Sequence, residues 1–495
     1  MMVKNIWLAL FTFIIVSANS QLSQLWTAYP NGGINQHGIL IKINGDGSGF
    51  EELISMDTLD VDNVCCNLTL YGNYVYGFAY KNNVTFLYRV NTASKVYEKL
   101  SDLPSEISKS KLLSKLCRLD GRYYFISAHE GSLGYGGLYV YDEVSNTISI
   151  VNTLSKQTGF YTGTYGQING LIVSDSSLYG AATYGGQYSK GTIYRYTPTS
   201  NTFEVVYNFG DNKSKAAYPT SEMVATDNFS LFGFSSDTSE DYSLTQTVIY
   251  SFDKTTKSLY ELRLLSKYEG AVVYGQIAFA PDGYIYAASR HGGDYSCSPP
   301  KDFGCGALIR YRPYDNHLEK LYNFSNPLDG SHWSNSNYNY FNPGITFGYD
   351  GNLYSTAGNS SDSYAYSFNI NTNEFNSILN NYLKHPTLPI GAYYNFVNVT
   401  NGYLDINDES IRDIDVKVYP NPAKQLVNIE LKTEKNAEVG MFELFDLVGR
   451  RLHKITFTEK LFQINVEGLT AGLYCWKYST VKGTKTGKLL IATHD

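Results

Sequence analysis

Cysteine and charge are both scarce in this sequence: it has six Cys, and 17% of its 495 residues are charged. After the first twenty residues no segment is apolar for 18 or more positions, so no transmembrane helix is predicted. The charges are also unevenly divided. From Arg412 onward there are 13 Lys/Arg against 10 Asp/Glu, which leaves 26 against 36 before it. Because binding to phosphates needs a basic face, the acidic main body disfavours nucleic-acid binding.

The sequence also lacks the common catalytic signatures. It contains no G-x-S-x-G, no H-E-x-x-H and no P-loop motif. The stretch "NGDGSG" at residues 44–49 looks like the start of a calcium loop, but Ser55 stands where such a loop requires a bidentate Glu. We therefore predict a hairpin turn at this stretch, and neither a metal nor a cofactor for the protein.

Aromatic residues and glycine are abundant instead. The 45 Tyr, 25 Phe and 43 Gly are typical of β-sheet with tight turns, whereas helix-favouring composition is poorly represented. We predict an all-β protein.

The first twenty residues place Lys4 before an apolar run that ends at Val16, followed by the small residues Ala18-Asn19-Ser20. This pattern predicts a signal peptide over residues 1–20, and therefore export. In an oxidising compartment Cys297 and Cys305, which flank "SPPKDFG", are expected to form a local disulfide. For the other four, buried thiols are as good an expectation as a disulfide. They are Cys65, Cys66, Cys117 and Cys475.

One structural unit repeats along the chain. Its second strand carries an aromatic residue, here called the anchor, that recurs at intervals of 50, 48, 55, 53, 54 and 68 residues. The anchors are Trp26, Tyr76, Tyr124, Tyr179, Phe232, Tyr286 and Tyr354. These spacings are within or just above the periods of propeller blades, so seven anchors predict seven blades.

The third strand of each unit repeats as well, with one column filled by Tyr or Ile. The column contains Ile41, Tyr88, Tyr139, Tyr194, Tyr250, Ile309 and Tyr366. The first unit lacks an inner strand, and a strand within "GAYYNFVNV" (residues 391–399) can supply it and close the ring. We predict a seven-bladed β-propeller over residues 21–405 and a linker over residues 406–415.

The units spelled "GLIVSDSSLYGAATYGG…GTIYRYTP…FEVVYNF" and "GQIAFAPDGYIYAASRHGG…GALIRYRP…LEKLYNF" carry a family resemblance. They resemble the GloVer tandem repeat of exported bacterial proteins. This resemblance implies an architecture and no particular activity.

The segment 416–495 resembles the type A C-terminal sorting domain of the type IX secretion system. Its matching motifs are "YPNPA" at residue 419, "FELFDLVGRRL" at 442, "VEGLTAGLYCWKY" at 466 and "GKLLI" at 487. The resemblance implies a small Ig-like β-sandwich, recognition by the type IX translocon, a Bacteroidetes-type cell and an extracellular or surface location. The sorting-motif residues are Tyr419, Pro420, Asn421, Pro422, Gly472, Tyr474 and Lys488.

In a four-stranded meander the loops before the first strand and after the second strand share one face. These loops are the long ones here, and long loops on a rigid scaffold commonly carry function. Units six and seven supply the richest rim of rings, acids and histidines, a composition suited to stacking on sugars and bonding their hydroxyls. The predicted rim residues are His291, Asp294, Tyr295, Asp329, His332, Trp333, Tyr338 and Tyr340.

Three functions are compatible with this pattern. The first is a non-catalytic propeller, expected to be monomeric, that binds a glycan or a protein through the long-loop face. The second is a carbohydrate-active hydrolase or lyase, whose acids and histidines would line the channel mouth. The third is a scaffold or adhesion module of the cell envelope.

Overall fold

A computed structural model of the protein describes 24 segments of the chain. These are residues 22–29, 32–35, 37–59, 61–110, 112–128, 133–161, 169–211, 214–226, 230–237, 246–273, 275–280, 282–293, 306–313, 315–324, 344–348, 350–358, 363–380, 396–399, 415–432, 440–445, 451–457, 460–470, 472–480 and 483–492.

In the described part of the chain up to Val399, seven antiparallel sheets follow one another, one for each repeat unit. Units one to three contain β1 (Gln24–Tyr29), β2 (Ile39–Asn44), β3 (Glu51–Ser55), β4 (Asn63–Tyr71), β5 (Tyr74–Lys81), β6 (Val84–Asn91), β7 (Tyr97–Asp102), β8 (Cys117–Leu119), β9 (Arg122–Ser127), β10 (Gly137–Asp142) and β11 (Thr147–Thr153). Units four and five contain β12 (Ile172–Ser174), β13 (Ser177–Ala182), β14 (Thr192–Thr197), β15 (Thr202–Asn208), β16 (Ala216–Pro219), β17 (Val224–Ala225), β18 (Ser230–Asp237), β19 (Thr247–Asp253) and β20 (Ser258–Leu265). Units six and seven contain β21 (Ala271–Val273), β22 (Ala278–Phe279), β23 (Ile285–His291), β24 (Ala307–Arg312), β25 (His317–Asn323), β26 (Thr346–Phe347), β27 (Asn352–Gly358), β28 (Ser363–Asn369) and β29 (Glu374–Asn380).

The first sheet is completed from the far end of the repeat region. Its order is β3-β2-β1-β30, and β30 (Val397–Asn398) pairs with Trp26 and Leu25 of β1. Val399 N donates a further hydrogen bond of 2.7 Å to the carbonyl of Gln24. Both ends of the repeat region are therefore held in one sheet, in which β30 takes the inner position beside β1.

Seven hydrophobic clusters join the sheets in cyclic order. Each cluster combines residues of two consecutive units, from units one and two through units six and seven. The seventh cluster joins unit seven to unit one, with Tyr354 and Ala365 packed among Leu25, Ile39 and Ile41. This cyclic packing is the arrangement of propeller blades, and the repeated region is a β-propeller.

Each unit has the same irregularity between its third and fourth strands. The register shifts by one residue immediately before the Tyr/Ile column, for example between Ile193 and Tyr194 in unit four. All seven column residues are fully buried. The prediction that this column is core between blades is therefore confirmed.

The C-terminal segment forms two further sheets. Its strands are β31 (Asp415–Tyr419), β32 (Leu426–Lys432), β33 (Gly440–Phe445), β34 (Arg451–Phe457), β35 (Leu461–Asn465), β36 (Gly472–Thr480) and β37 (Gly483–Ile491). The sheet orders are β31-β32-β35 and β34-β33-β36-β37, and residues of both pack in one hydrophobic cluster.

The prediction of an all-β protein is correct. Among the described residues the only helices are two 3₁₀ turns, Met56–Thr58 and Ser105–Ile107. None of the helices in the described part is long and apolar enough to span a bilayer.

Candidate functional site

The two faces of the repeat region differ in their loops. In unit four Ser177, beside the turn between the first and second strands, bonds Thr197, beside the turn between the third and fourth, at 2.9 Å. The short turns therefore share one face, and the remaining loops share the other, which we call the long-loop face. At "NGDGSG" the described backbone forms the expected hairpin turn, with Gly47 N bonded to the Asn44 carbonyl.

Most of the rim predicted in units six and seven lies outside the described residues. This applies to Asp294, Tyr295, Asp329, His332, Trp333, Tyr338 and Tyr340, and to the predicted Cys297–Cys305 disulfide. His291 is described: it is the last residue of β23 and pairs with Ala271. Burial, followed by the neighbouring charge of Arg290, lowers the pKa of His291 to about 3. The imidazole is therefore neutral at physiological pH.

Four aromatic rings from three units form a continuous row on the long-loop face. We call this row, Tyr135, Phe160, Tyr184 and Tyr218, the aromatic ladder. The ring centroids are 4.9 Å apart for Tyr135 and Phe160, 5.9 Å for Phe160 and Tyr184, and 5.7 Å for Tyr184 and Tyr218. All four residues are half-buried, so each is partly packed against the fold and partly exposed to solvent.

The backbone fixes the ladder rigidly. Phe160 and Tyr184 exchange both backbone hydrogen bonds, at 2.9 and 3.0 Å, which locks the two central rings side by side. Tyr218 has φ of +52°, in the left-handed region that L residues rarely adopt. Its N–H is held by the carbonyl of Lys190 at 2.7 Å. A strained non-glycine residue on a partly exposed surface is the kind of feature that clusters at ligand sites.

The inner strands carry a second polar feature. In units two, three, five and six the described inner strand is interrupted. In every unit the residue just before the inner segment that pairs beside the anchor is apolar and buried: Leu68, Leu116, Leu171, Met223, Ile277, Ile345 and Phe396. One position earlier, units three to six carry Lys115, Gly170, Glu222 and Gln276.

Lys115 and Glu222 form an ion pair of 2.7 Å although they belong to units three and five. The intervening Gly170 makes this possible, because a Cβ there would overlap the Glu222 carboxylate. A contact that skips one unit requires a position near the centre of the ring. The pair is shielded, with side-chain exposures of 22% for Lys115 and 9% for Glu222.

Next to this pair the fold buries further polar groups. The Asn169 side-chain amide donates to the carbonyls of Ala181 and Pro219, both at 3.0 Å. The Tyr161 hydroxyl donates to Ala181 at 2.9 Å, and burial raises its pKa well above the usual range. No group of three His, Cys, Asp or Glu side chains within the described ranges is arranged to hold a metal ion.

The sorting motif is explained by one side chain. Asn421 follows the strand β31, and its side-chain amide makes two hydrogen bonds to the backbone of the last strand. Its oxygen accepts from Leu490 N at 2.8 Å, and its nitrogen donates to the Lys488 carbonyl at 3.0 Å. The backbone of Ala423 continues this pairing with Leu490. The "YPNPA" and "GKLLI" motifs, almost seventy residues apart, thus form one structural unit.

The other sorting residues also have structural places. The Tyr474 hydroxyl donates to the carbonyl of Thr470 at 2.7 Å, which fixes the turn before β36. Tyr419 lies beside Lys417, Val418 and Glu430 in an open depression of the surface. Of the cysteines, Cys117 is buried, and Cys475 carries a free thiol on an exposed residue.

The fold and these motifs define a class, that of exported all-β propeller proteins with a C-terminal targeting domain. Comparison with family models agrees: residues 114–338 match the Gloeobacter/Verrucomicrobia repeat, and residues 417–492 match the secretion system C-terminal sorting domain. The chain therefore carries a Gloeobacter/Verrucomicrobia repeat region joined to a type IX sorting domain, as the sequence motifs predicted. The sorting domain indicates export to the cell surface or the extracellular space, and interaction with the type IX machinery.

No curated protein matches the chain. Among solved structures it is similar to a protein from Lactobacillus plantarum, with 12% identity, 76% of this chain and 100% of that one covered, and a TM-score of 0.50. It is also similar to a Bacteroides uniformis protein provisionally described as a 6-phosphogluconolactonase (13% identity, 76% and 99% covered, TM-score 0.48). A fungal alcohol oxidase in complex with copper gives 11% identity, 95% and 96% coverage and a TM-score of 0.47.

Proposed function

We propose that this protein is a secreted or surface-displayed, non-catalytic propeller that binds a glycan through its long-loop face. In this proposal residues 21–405 form one seven-bladed propeller, residues 406–415 a linker, and residues 416–495 an Ig-like sorting sandwich. Residues 1–20 act as a signal peptide that is absent from the mature protein.

The aromatic ladder is the observation that carries the proposal. Sugar rings have apolar faces that stack on aromatic side chains, and a row of rings accommodates successive sugar units. The ladder is preorganised by backbone hydrogen bonds, so little conformational entropy is lost when a ligand binds. The predicted rim of units six and seven would extend the same face.

The polar groups of the described ring centre favour binding over catalysis. General acid–base catalysis of glycoside cleavage needs two carboxyl groups flanking the bond. In the described part of the axial column there is one carboxylate, Glu222, and Lys115 already neutralises it. A depolymerising activity therefore stands as an outcome of the test below.

A glycan array and a polysaccharide depolymerisation screen on the mature full-length chain test the proposal. Tyr184→Ala removes the central ring of the ladder, and Tyr260→Ala removes an exposed tyrosine from an outer strand as the matched control. A third variant, Trp333→Ala with Tyr340→Ala, tests the rim. We expect binding without turnover, lost in Tyr184→Ala and retained in Tyr260→Ala. Turnover would replace the proposal with an enzyme, and absence of glycan binding would contradict it.

A further inference from the structure

Cations are mostly paired in the repeat region. Lys42, Arg89, Arg195 and Arg310 each pair with a glutamate on the neighbouring strand, namely Glu51, Glu98, Glu204 and Glu319. Lys254, Arg263 and Arg312 pair with Asp175, Glu269 and Asp315. This pattern is expected for a chain of net charge −7, in which carboxylates outnumber cations.

Within the described residues the three lysines around the aromatic ladder, Lys156, Lys190 and Lys215, take part in no ion pair. The same holds for Lys95, Lys109 and Lys320 elsewhere in the described repeat region. Lys156 and Lys215 are exposed, and Lys190 is half-buried. Three lysines without an ion pair thus lie in one part of an acidic protein. The carboxylate shown beside them is that of Glu261, which accepts from Ser214 Oγ and Ala216 N on either side of Lys215.

These lysines are tied to the ladder by the backbone. The Lys156 carbonyl accepts from Gly186 N, two residues after Tyr184, at 2.8 Å, and the Lys190 carbonyl accepts from Tyr218 N. Lys215 precedes Tyr218 by three residues. The apolar stem of Lys190 packs along Gly210, where a Cβ would overlap it.

We propose that the ladder binds an acidic polysaccharide, one whose sugar units carry carboxylate or sulfate groups. This inference rests on the proposed function and names its ligand class. The rings stack on the sugar faces, and the three ammonium groups meet the anionic substituents. Aromatic rings with lysines also occur at single-stranded nucleic-acid sites, so an oligodeoxythymidylate is included in the test as a competing ligand.

Two pairs of polymers with matched backbones test the inference on the mature full-length chain. Polygalacturonate and its methyl ester differ in carboxylates, and dextran sulfate and dextran differ in sulfates. The variant Lys156→Gln/Lys190→Gln/Lys215→Gln removes the charges, and Lys99→Gln/Lys257→Gln/Lys320→Gln is the control of equal charge change away from the ladder. Binding is measured at about 0.05 M and about 0.5 M NaCl.

We expect binding to at least one anionic polymer in preference to its neutral partner. The ladder triple variant should lose about tenfold in affinity at low salt, the control less than about twofold, and the difference should shrink at high salt. Equal binding of charged and neutral partners, lost in Tyr184→Ala and unchanged in the lysine variant, would overturn this inference and leave glycan binding intact. Preference for an oligodeoxythymidylate over all four polymers, or binding of none of them, would also overturn it.

Discussion

Gly180 lies directly opposite Tyr194 on neighbouring strands of unit four, and the tyrosine ring covers the glycine so closely that a Cβ there would overlap it. The same pair occurs as Gly77 with Tyr88 and as Gly233 with Tyr250. Unit six contains Ala287 opposite Ile309. Compared with the Gly–Tyr pairs, the glycine is replaced by the larger alanine and the tyrosine by the smaller isoleucine. In units two, four and five the ring across from the glycine therefore leaves no room for a Cβ, whereas the column tyrosines of units three and seven face Phe125 and Ser355.

Gly180→Ala should lower the free energy of unfolding by about 1–3 kcal/mol, because the added methyl group overpacks a buried ring. Tyr194→Ile combined with Gly180→Ala reproduces the pair found in unit six, so the alanine should cost much less in that background. A double-mutant cycle from urea unfolding measures the coupling. Additive costs would show that the ring does not dictate the glycine.

Lys115→Met should destabilise the protein by about 1–3 kcal/mol, because it leaves the shielded Glu222 carboxylate without a counter-charge. Lys115→Met with Glu222→Gln removes both charges and should recover part of the loss. Thermal unfolding of Lys115→Met, Glu222→Gln and the double variant is the measurement. If the double variant is the less stable by the sum of both single costs, the two residues are not coupled.

Asn421→Ala should weaken the attachment of the last strand and reduce export. Two hydrogen bonds to the β37 backbone are lost, which costs about 1–2 kcal/mol in the sandwich. Gln463→Ala is the control, since its amide bonds only the side chain of Asn428 in the described structure. The fraction of the chain outside a type IX-competent cell is measured by immunoblot. Normal export of a destabilised Asn421→Ala chain would separate recognition from this contact.

His291 should make stability depend on pH. Its pKa in the folded protein is about 3, below the ordinary value of 6.5, so between these values the unfolded chain binds more protons. The contribution of neutral His291 to the free energy of unfolding is fully present above pH 6.5 and is lost as the pH falls toward 3. The stability of His291→Gln should therefore fall less between pH 7 and pH 4 than that of the parent. His317→Gln, at an exposed strand start, is the control, and an identical slope in all three proteins would contradict the assignment.

The repeats, the Tyr/Ile column and the sorting motifs could be read from the sequence because each recurs in order along the chain. The aromatic ladder could not, because Tyr135, Phe160, Tyr184 and Tyr218 occupy different positions in three units. The Lys115–Glu222 pair could not be predicted either. Interruptions in the inner strands make it impossible to align Lys115, Gly170 and Glu222 at one position from the sequence. Regular patterns reveal the scaffold, whereas these contacts arise only when the ring of units closes.

The affinity of Tyr184→Ala for the glycan selected by the array, measured by calorimetry beside Tyr260→Ala, tests the central claim most directly. We predict that Tyr184→Ala binds about five- to thirtyfold more weakly, the loss of about 1–2 kcal/mol expected for one stacking ring, and that Tyr260→Ala binds like the parent. Near-ultraviolet circular dichroism checks that both variants are folded. Equal affinity of a folded Tyr184→Ala protein would contradict the claim that the aromatic ladder is the binding site.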